Sequence, residues 1–188
     1  SHPTPPVFDG PEDRNGLRNA DEIRFWRYYI DGEPFRDDQE RVGGLAGDSA
    51  FIIAGDLNAD PLDGASTGQP AGALLDHPRI RATPAPRSAG AVEKALADGG
   101  VNRTHRSQAA TDTADFGDGQ AGNLRVDYVL PSTNLDVLGA GVFWPDAEAP
   151  GAAWIDASDH RLVWIDVGCA PRGSAMAAGA SYNPRSQE

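Results

Sequence analysis

Hydrophobic residues recur along the chain with two periods, one typical of helices and one typical of strands. The helical period is clearest from Ile23 to Ile30, which predicts an amphipathic helix over residues 20–30. Asn19 stands just before it and Glu22 three positions later, the arrangement of a capping box at a helix start. Two shorter helices, rich in small and apolar residues, are predicted over residues 68–77 and 88–98.

Other segments have the strand period or form short apolar runs between turn residues. Residues 50–54 are apolar throughout, which predicts a strand buried on both faces. Further strands are predicted where apolar and β-branched residues concentrate, over residues 124–130, 135–144 and 161–167. Irregular structure is predicted over residues 1–16 and 100–123. Because strands and helices are mixed with long loops, the predicted fold class is α/β or α+β.

The composition is typical of one globular domain with many loops. The chain has 188 residues, 39% of them hydrophobic, with 22 glycines and 15 prolines. The domain is predicted to span residues 1–168, and a flexible tail rich in Gly, Ala and Ser is predicted over residues 169–188. The single cysteine, Cys169, excludes an intrachain disulfide and a zinc site built from several thiolates.

Acidic residues outnumber basic ones, and the formal net charge is −12. This charge disfavours long DNA and anionic membranes as partners, although a local basic patch would still admit DNA. No apolar run approaches the ~18 residues of a membrane-spanning segment. The sequence leaves the location undetermined, with secretion or the cell envelope as the working expectation.

Polar side chains that can carry chemistry lie at the ends of three predicted strands. Asp56 and Asn58 follow the first strand, Asp127 lies in the second, and Asp159 and His160 precede the last. Carboxylates gathered in one site repel one another, so such a cluster needs a cation or a proton. Oxygen ligands without thiolates favour a hard ion such as Mg²⁺, Mn²⁺ or Ca²⁺. With a histidine nearby, the cluster could activate water and stabilise charge on a phosphoryl oxygen.

Each motif also has a plain structural explanation. A run of the type Asp-x-Asn-x-Asp-Pro, as in residues 56–61, is usually a turn whose side chains bond to their own backbone. Asp127 could pair with Arg125, and residues 159–160 could simply begin a strand at the surface. His2 stands at the end of the chain, where side chains are often disordered. A calcium module built from oxygen ligands is a further alternative.

Taken in order, these motifs resemble those of the endonuclease/exonuclease/phosphatase superfamily, which includes deoxyribonuclease I, abasic-site endonucleases and inositol-polyphosphate phosphatases. Residues 55–61 (GDLNADP) are similar to its GDxN segment, and residues 125–130 (RVDYVL) to its R-[IV]-D-Y strand. Residues 158–163 (SDHRLV) are similar to its terminal SDH motif, and Ser1-His2 to its histidine at a strand end. Each motif is weak alone, but the ordered set is specific.

The resemblance implies a catalytic role for five residues. Asp56 would orient or deprotonate the attacking water, and Asn58 would hydrogen-bond that water or a phosphoryl oxygen. His160 would contact the scissile phosphate, with Asp127 fixing the tautomer and orientation of its ring. His2 would be the acid for the leaving group.

The resemblance also implies a metal and a fold. Mg²⁺, with Mn²⁺ or Ca²⁺ as alternatives, would be bound by Asp159, directly or through water. The implied fold is half of a deoxyribonuclease I-like four-layer β-sandwich flanked by helices. The family's first half carries a metal-binding Glu before the histidine motif, and here that motif already stands at residue 2. The N-terminal half is therefore expected to be absent, with that half or a second copy of the chain as the partner.

The expected function is metal-dependent hydrolysis of a phosphate mono- or diester by an activated water, without a covalent intermediate. The acidic charge favours a small phosphoester, or a lipid or sugar phosphate, over long DNA. The alternative is a non-catalytic binding or structural remnant of such a domain within a larger secreted protein. Metal-dependent turnover of simple phosphate esters separates the two interpretations.

Overall fold

The computed structural model describes residues 1–117, 119 and 121–168, so the predicted tail lies outside the described residues. Its helices are α1 (Arg14–Ile30), α2 (Pro70–Leu75) and α3 (Ala89–Asp98), with 3-10 turns at Gly100–Thr104, Ala109–Thr111 and Ala152–Ala157. Its strands are β1 (Phe35–Arg36), β2 (Val42–Gly43), β3 (Ile52–Asp56), β4 (Ala114–Asp115), β5 (Asn123–Leu124), β6 (Asp127–Pro131), β7 (Asp136–Phe143) and β8 (Leu162–Gly168). This mixture of helix and sheet is consistent with the predicted α+β class.

A central antiparallel pair, β3 and β6, separates the hydrophobic core from the face that carries the polar motifs. Ile52 lies opposite Pro131 at one end of the pair, and Asp56 lies opposite Asp127 at the other. Side chains alternate across a strand, so Ile53 points to the face opposite that of its neighbours. That face packs against α1 and α2 in a core that includes Ile23, Ile30, Ile53, Leu57, Leu74, Tyr128 and Leu130.

The prediction that the strand at residues 50–54 is buried on both faces is wrong. Ile53 is buried, whereas Ile52 is 45% exposed and Ala54 is exposed as well. A short apolar run shows that a strand can be buried, but it does not show how many layers cover the sheet. The helices α1 and α2 pack against the face that carries Ile53.

The first helix begins six positions before its predicted start, at Arg14, and Asn19 is therefore inside it. Asn19 is fully buried, and its side-chain amide donates to the carbonyl oxygens of Thr4 (3.0 Å) and Leu57 (2.9 Å). The predicted capping box is thus wrong, because this side chain joins the helix to two other segments. Asp13, with a left-handed φ of 52°, precedes the first turn instead.

The predicted strand over residues 124–130 is interrupted. β5 pairs with β4, whereas β6 pairs with β3, and the N–H groups of the two residues between them donate to side chains. The N–H of Arg125 donates to the Asp60 carboxylate (2.9 Å), and the N–H of Val126 donates to Thr113 Oγ1 (3.0 Å). These bonds explain the break. β4 and two 3-10 turns also give regular structure to part of residues 100–123, where none is predicted.

The last two strands form an antiparallel hairpin that closely matches its prediction. Phe143 lies opposite Leu162, and the pairing continues to Asp136 opposite Gly168, with an irregularity between Val137 and Gly139. The helices predicted over residues 68–77 and 88–98 are confirmed as the shorter α2 and as α3. Among the described helices, none combines the length and the apolar character that crossing a bilayer requires.

Candidate active site

Two carboxylates stand side by side where β3 ends and β6 begins. Asp56 and Asp127 are directly opposite each other in the antiparallel pair, so both project from the same face of the sheet. Their side chains are only 15% and 16% exposed. Like charges so placed repel each other, and the site therefore favours a proton or a cation between them.

His160 completes this cluster from the segment before β8. Its Nδ1 lies 3.0 and 3.1 Å from the two carboxylate oxygens of Asp127, and its Nε2 lies 3.9 Å from Oδ2 of Asp56. The backbone of His160 forms an isolated bridge with Ala114, and the ring of Phe116 contacts the imidazole edge-on at 5.5 Å. The imidazole is thus fixed between the two carboxylates.

The surroundings of His160 favour its protonated form. Burial acts against the charged ring, but the hydrogen bond to Asp127 and the negative charge of Asp127 outweigh it. The pKa of His160 therefore lies above its ordinary value of 6.5. In its protonated form this histidine can donate a hydrogen bond or a proton to a bound anion.

Thr113 holds the Asp127 carboxylate in place, although the sequence interpretation did not single it out. Its hydroxyl donates to Oδ2 of Asp127 (2.9 Å) and accepts the N–H groups of Val126 (3.0 Å) and Asp127 (2.9 Å). One hydroxyl thus uses its donor and both its lone pairs on this corner. No local pattern in the sequence identifies this role, because the partners lie 13 and 14 residues away along the chain.

One polar face of α1 holds the segment that carries His2. The side chains that do so recur at positions i, i+4, i+7 and i+11 and are Asn15, Asn19, Glu22 and Trp26. Glu22 accepts the N–H of Thr4 (2.6 Å), and the Trp26 indole donates to Ser1 Oγ (2.7 Å). This stripe is visible in the sequence as polar residues at the helical period, next to the apolar positions that predict the helix.

His2 lies at the edge of the cluster. Its Nε2 is 3.4 Å from Oδ2 of Asp56, and its side chain is 72% exposed. The amino group of Ser1 donates to the carbonyl of Ala54 (2.7 Å), which places this segment beside β3. Gly55 allows the close approach, because its φ is 137° and a Cβ there would meet the carbonyl oxygen of Ser1. The structure thus brings His2 to Asp56.

Asn58 connects the cluster to the same segment. Its N–H donates to Oδ1 of Asp56 (2.7 Å), and its side-chain amide donates to the carbonyl of Pro3 (3.0 Å). The neighbouring Asp60 has the structural role that its motif also allows, since its Oδ1 accepts the N–H groups of Leu62 and Asp63. The run after β3 is therefore a turn that also presents Asp56.

Asp159 is exposed and stands apart from the group that could hold a metal ion. Within the described residues, the side chains able to share an ion are Asp56, Asp127 and His160, whose ligand atoms all lie within 4.8 Å of one another. The two carboxylates offer the oxygen ligands that a hard divalent ion such as Mg²⁺ or Mn²⁺ prefers, and the imidazole of His160 lies beside them. This set of donors fits a metal site, and the metal role of Asp159 stays a prediction.

Comparison with known proteins assigns the chain to a family whose matched region contains these residues. The model of the endonuclease/exonuclease/phosphatase family matches residues 9–160, which include Asp56, Asp127 and His160. No curated protein gives a match, and no solved structure gives one either. The matched region covers most of the chain and holds the cluster described above. The chain therefore belongs to the endonuclease/exonuclease/phosphatase family.

Proposed function

We propose that this protein is a metal-dependent phosphoesterase that hydrolyses a phosphate mono- or diester with an activated water. The observation that carries the proposal is the convergence of Asp56, Asp127 and His160 at one end of the β3–β6 pair. Family membership supports the class of reaction, because members of this family are typically divalent-metal-dependent nucleases and phosphatases. We name Mg²⁺ as the metal, with Mn²⁺ or Ca²⁺ as alternatives.

The contacts of each residue support a separate role in metal binding or in positioning the attacking water. Asp56 and Asp127 would supply the oxygen ligands of a divalent ion, with His160 beside them. Such an ion, when bound, lowers the pKa of water and neutralises charge on a phosphoryl oxygen. Asp56 orients the attacking water, and Asn58 holds Asp56 through its N–H. The proposal also gives Asp159 a role as a metal ligand, directly or through water.

Proton transfer is assigned to the histidines. His160, held by Asp127 at Nδ1, presents Nε2 to the phosphoryl group as a charged donor. To His2, which is exposed and lies 3.4 Å from Asp56, we assign the donation of a proton to the leaving group. In the hydrolysis, the water oxygen bonds to phosphorus and the bond to the ester oxygen breaks. The alcohol leaves with that proton, and the water's proton passes to Asp56 or to solvent.

The net charge supports a small substrate. At −12 the chain repels a long polyanion, so a small phosphoester, or a lipid or sugar phosphate, is favoured over DNA. Exposed apolar side chains on the β3–β6 and β7–β8 pairs, among them Ile52, Leu162 and Trp164, support a further layer that covers these strands. We infer that this chain supplies the C-terminal half of a four-layer sandwich, with the N-terminal half or a second copy of the chain as that layer.

The test is hydrolysis of bis-p-nitrophenyl phosphate and p-nitrophenyl phosphate with and without Mg²⁺. Turnover should require the metal, and Asp56→Asn or His160→Gln should reduce it about 100-fold or more. Asp166→Asn removes an exposed carboxylate on β8 and serves as the control, with turnover unchanged. If the wild-type protein shows no turnover, the chain is a non-catalytic module. If Asp56→Asn keeps the wild-type turnover, the reaction does not depend on this cluster and the proposed site is wrong.

A further inference from the structure

A cavity of about 980 Å³ opens beside the candidate active site. Asn58 and Asp159 line the cavity on the side of the cluster, and Phe116, whose ring contacts His160, forms part of its wall. The rest of the wall comes from residues 5–8, 60, 62–66, 101 and 104–106, together with a few side chains near β4 and β5. Its volume is at the upper end of the roughly 300–1,000 Å³ typical of ligand cavities.

Three exposed apolar side chains line this cavity together. Phe8 is 90% exposed, Leu62 is 44% exposed, and Val7 lies beside them, all three lining the same space. Single exposed apolar residues are normal on a protein surface, but a group around one cavity marks a binding site. Phe116 continues this apolar surface up to the imidazole of His160.

The loop that carries Phe8 is held in an unfavourable backbone conformation. Its φ is 66°, a left-handed value that bulky side chains rarely adopt. Asn15 fixes the residues on both sides: its side-chain amide donates to the carbonyl of Val7 (2.7 Å), and its N–H donates to the carboxylate of Asp9 (2.5 Å). Strain held by dedicated bonds is typical of functional sites, and here it holds an aromatic ring at the cavity.

Most carboxylates in the cavity wall are already bonded within the protein. Asp60 and Asp63 each accept backbone N–H groups, and Asp115 lies 3.1 Å from the ammonium group of Lys94. Arg106 lines the cavity as well. The wall therefore combines carboxylates that already have hydrogen-bond or ion-pair partners with the apolar side chains of Val7, Phe8 and Leu62, and this apolar part suits an uncharged apolar group.

We propose that this cavity binds the apolar, ring-containing alcohol part of a phosphate ester while its phosphoryl group lies at Asp56 and His160. Phe8 and Leu62 then determine specificity through contact with that ring. The inference rests on the proposed function, since it names the substrate class of the same site. Esters of small polar alcohols leave the cavity unfilled and are poorer substrates.

The test measures binding without turnover. Isothermal titration calorimetry compares (1-naphthylmethyl)phosphonate with methylphosphonate, neither of which can be hydrolysed, in the presence of Mg²⁺. The wild-type protein should bind the naphthyl compound at least about tenfold more tightly, as expected for burial of an aromatic group. Phe8→Ala and Leu62→Ala should reduce that preference several-fold. Leu96→Ala, the same substitution at a 76% exposed position on α3, should leave it unchanged.

A second readout separates this proposal from the proposed function. Hydrolysis of 1-naphthyl phosphate and phenyl phosphate is compared in the wild-type protein and in Phe8→Ala, with KM and kcat determined separately. If Phe8→Ala raises KM for the naphthyl ester but not for the phenyl ester, the cavity assignment is supported. Equal affinity for the two phosphonates, or a preference that Phe8→Ala retains, overturns it even if turnover is present. Naphthyl preference without any turnover supports the cavity and refutes the phosphoesterase.

Discussion

Asn19 connects α1 to the two segments that carry the site, and Asn19→Ala removes both connections. Its amide donates to the carbonyls of Thr4 and Leu57 from a fully buried position. Leaving two acceptors without a donor costs about 2–4 kcal/mol in total. Alanine is the better helix former, and its helix propensity offsets less than about 0.7 kcal/mol of this loss. We therefore expect the free energy of unfolding to fall by about 2–3 kcal/mol.

Thermal unfolding followed by circular dichroism measures this loss. For a domain of this size, about 2–4 °C is lost per kcal/mol, so the Tm should fall by about 4–12 °C. Asn123→Ala is the matched control: Asn123 is equally buried, but its side chain makes no hydrogen bond within the described residues. The control should lose clearly less stability. Equal losses in the two variants would refute the reasoning, because burial alone would then explain both.

Three further variants test the electrostatics and the close approach of the chain at the site. Burial, with Asp60 and Asp63 nearby, raises the pKa of Asp112 from 3.8 to about 8. The unfolded chain therefore loses this proton first, and stability falls from about pH 4 to about pH 8. Relative to wild type, Asp112→Asn should gain Tm across that window, and a constant difference would contradict this. Asp127→Asn should lower the pKa of His160, because burial, which lowers this pKa, is then no longer opposed by the Asp127 carboxylate. NMR titration measures the shift, and an unchanged pKa would show that Asp127 does not raise the pKa of His160. Gly55→Ala should displace the segment at Ser1 and lower both Tm and turnover, and wild-type values would show that the close approach is not required.

The site was largely predictable because its residues lie at strand ends. Asp56, Asp127 and His160 each adjoin a strong apolar segment, and the order of their motifs along the chain matches a known family. The structure brings these three together and adds His2 at their edge. Strand ends can be recognised from local pattern, and antiparallel pairing then places them at one end of a sheet.

The parts that could not be predicted depend on contacts between distant segments. Asn19 and Glu22 have the local pattern of a capping box, yet they bond to residues that are far away in the chain. Thr113 matters because three groups from the β6 corner meet its hydroxyl. Burial on one face of β3 depends on which layers cover the sheet, and Asp159 faces a cavity that only the folded loops create. Such roles are set by tertiary packing and have no local signal.

Binding of Mn²⁺ tests the central claim most directly. Electron paramagnetic resonance follows the free ion as protein is added, so it reports binding without any assumption about substrate. The account predicts that wild-type protein binds one Mn²⁺, that Asp56→Asn weakens the affinity at least about tenfold, and that Asp166→Asn binds as wild type does. Binding that Asp56→Asn leaves intact, or no binding by the wild-type protein, would contradict a metal centre at this cluster.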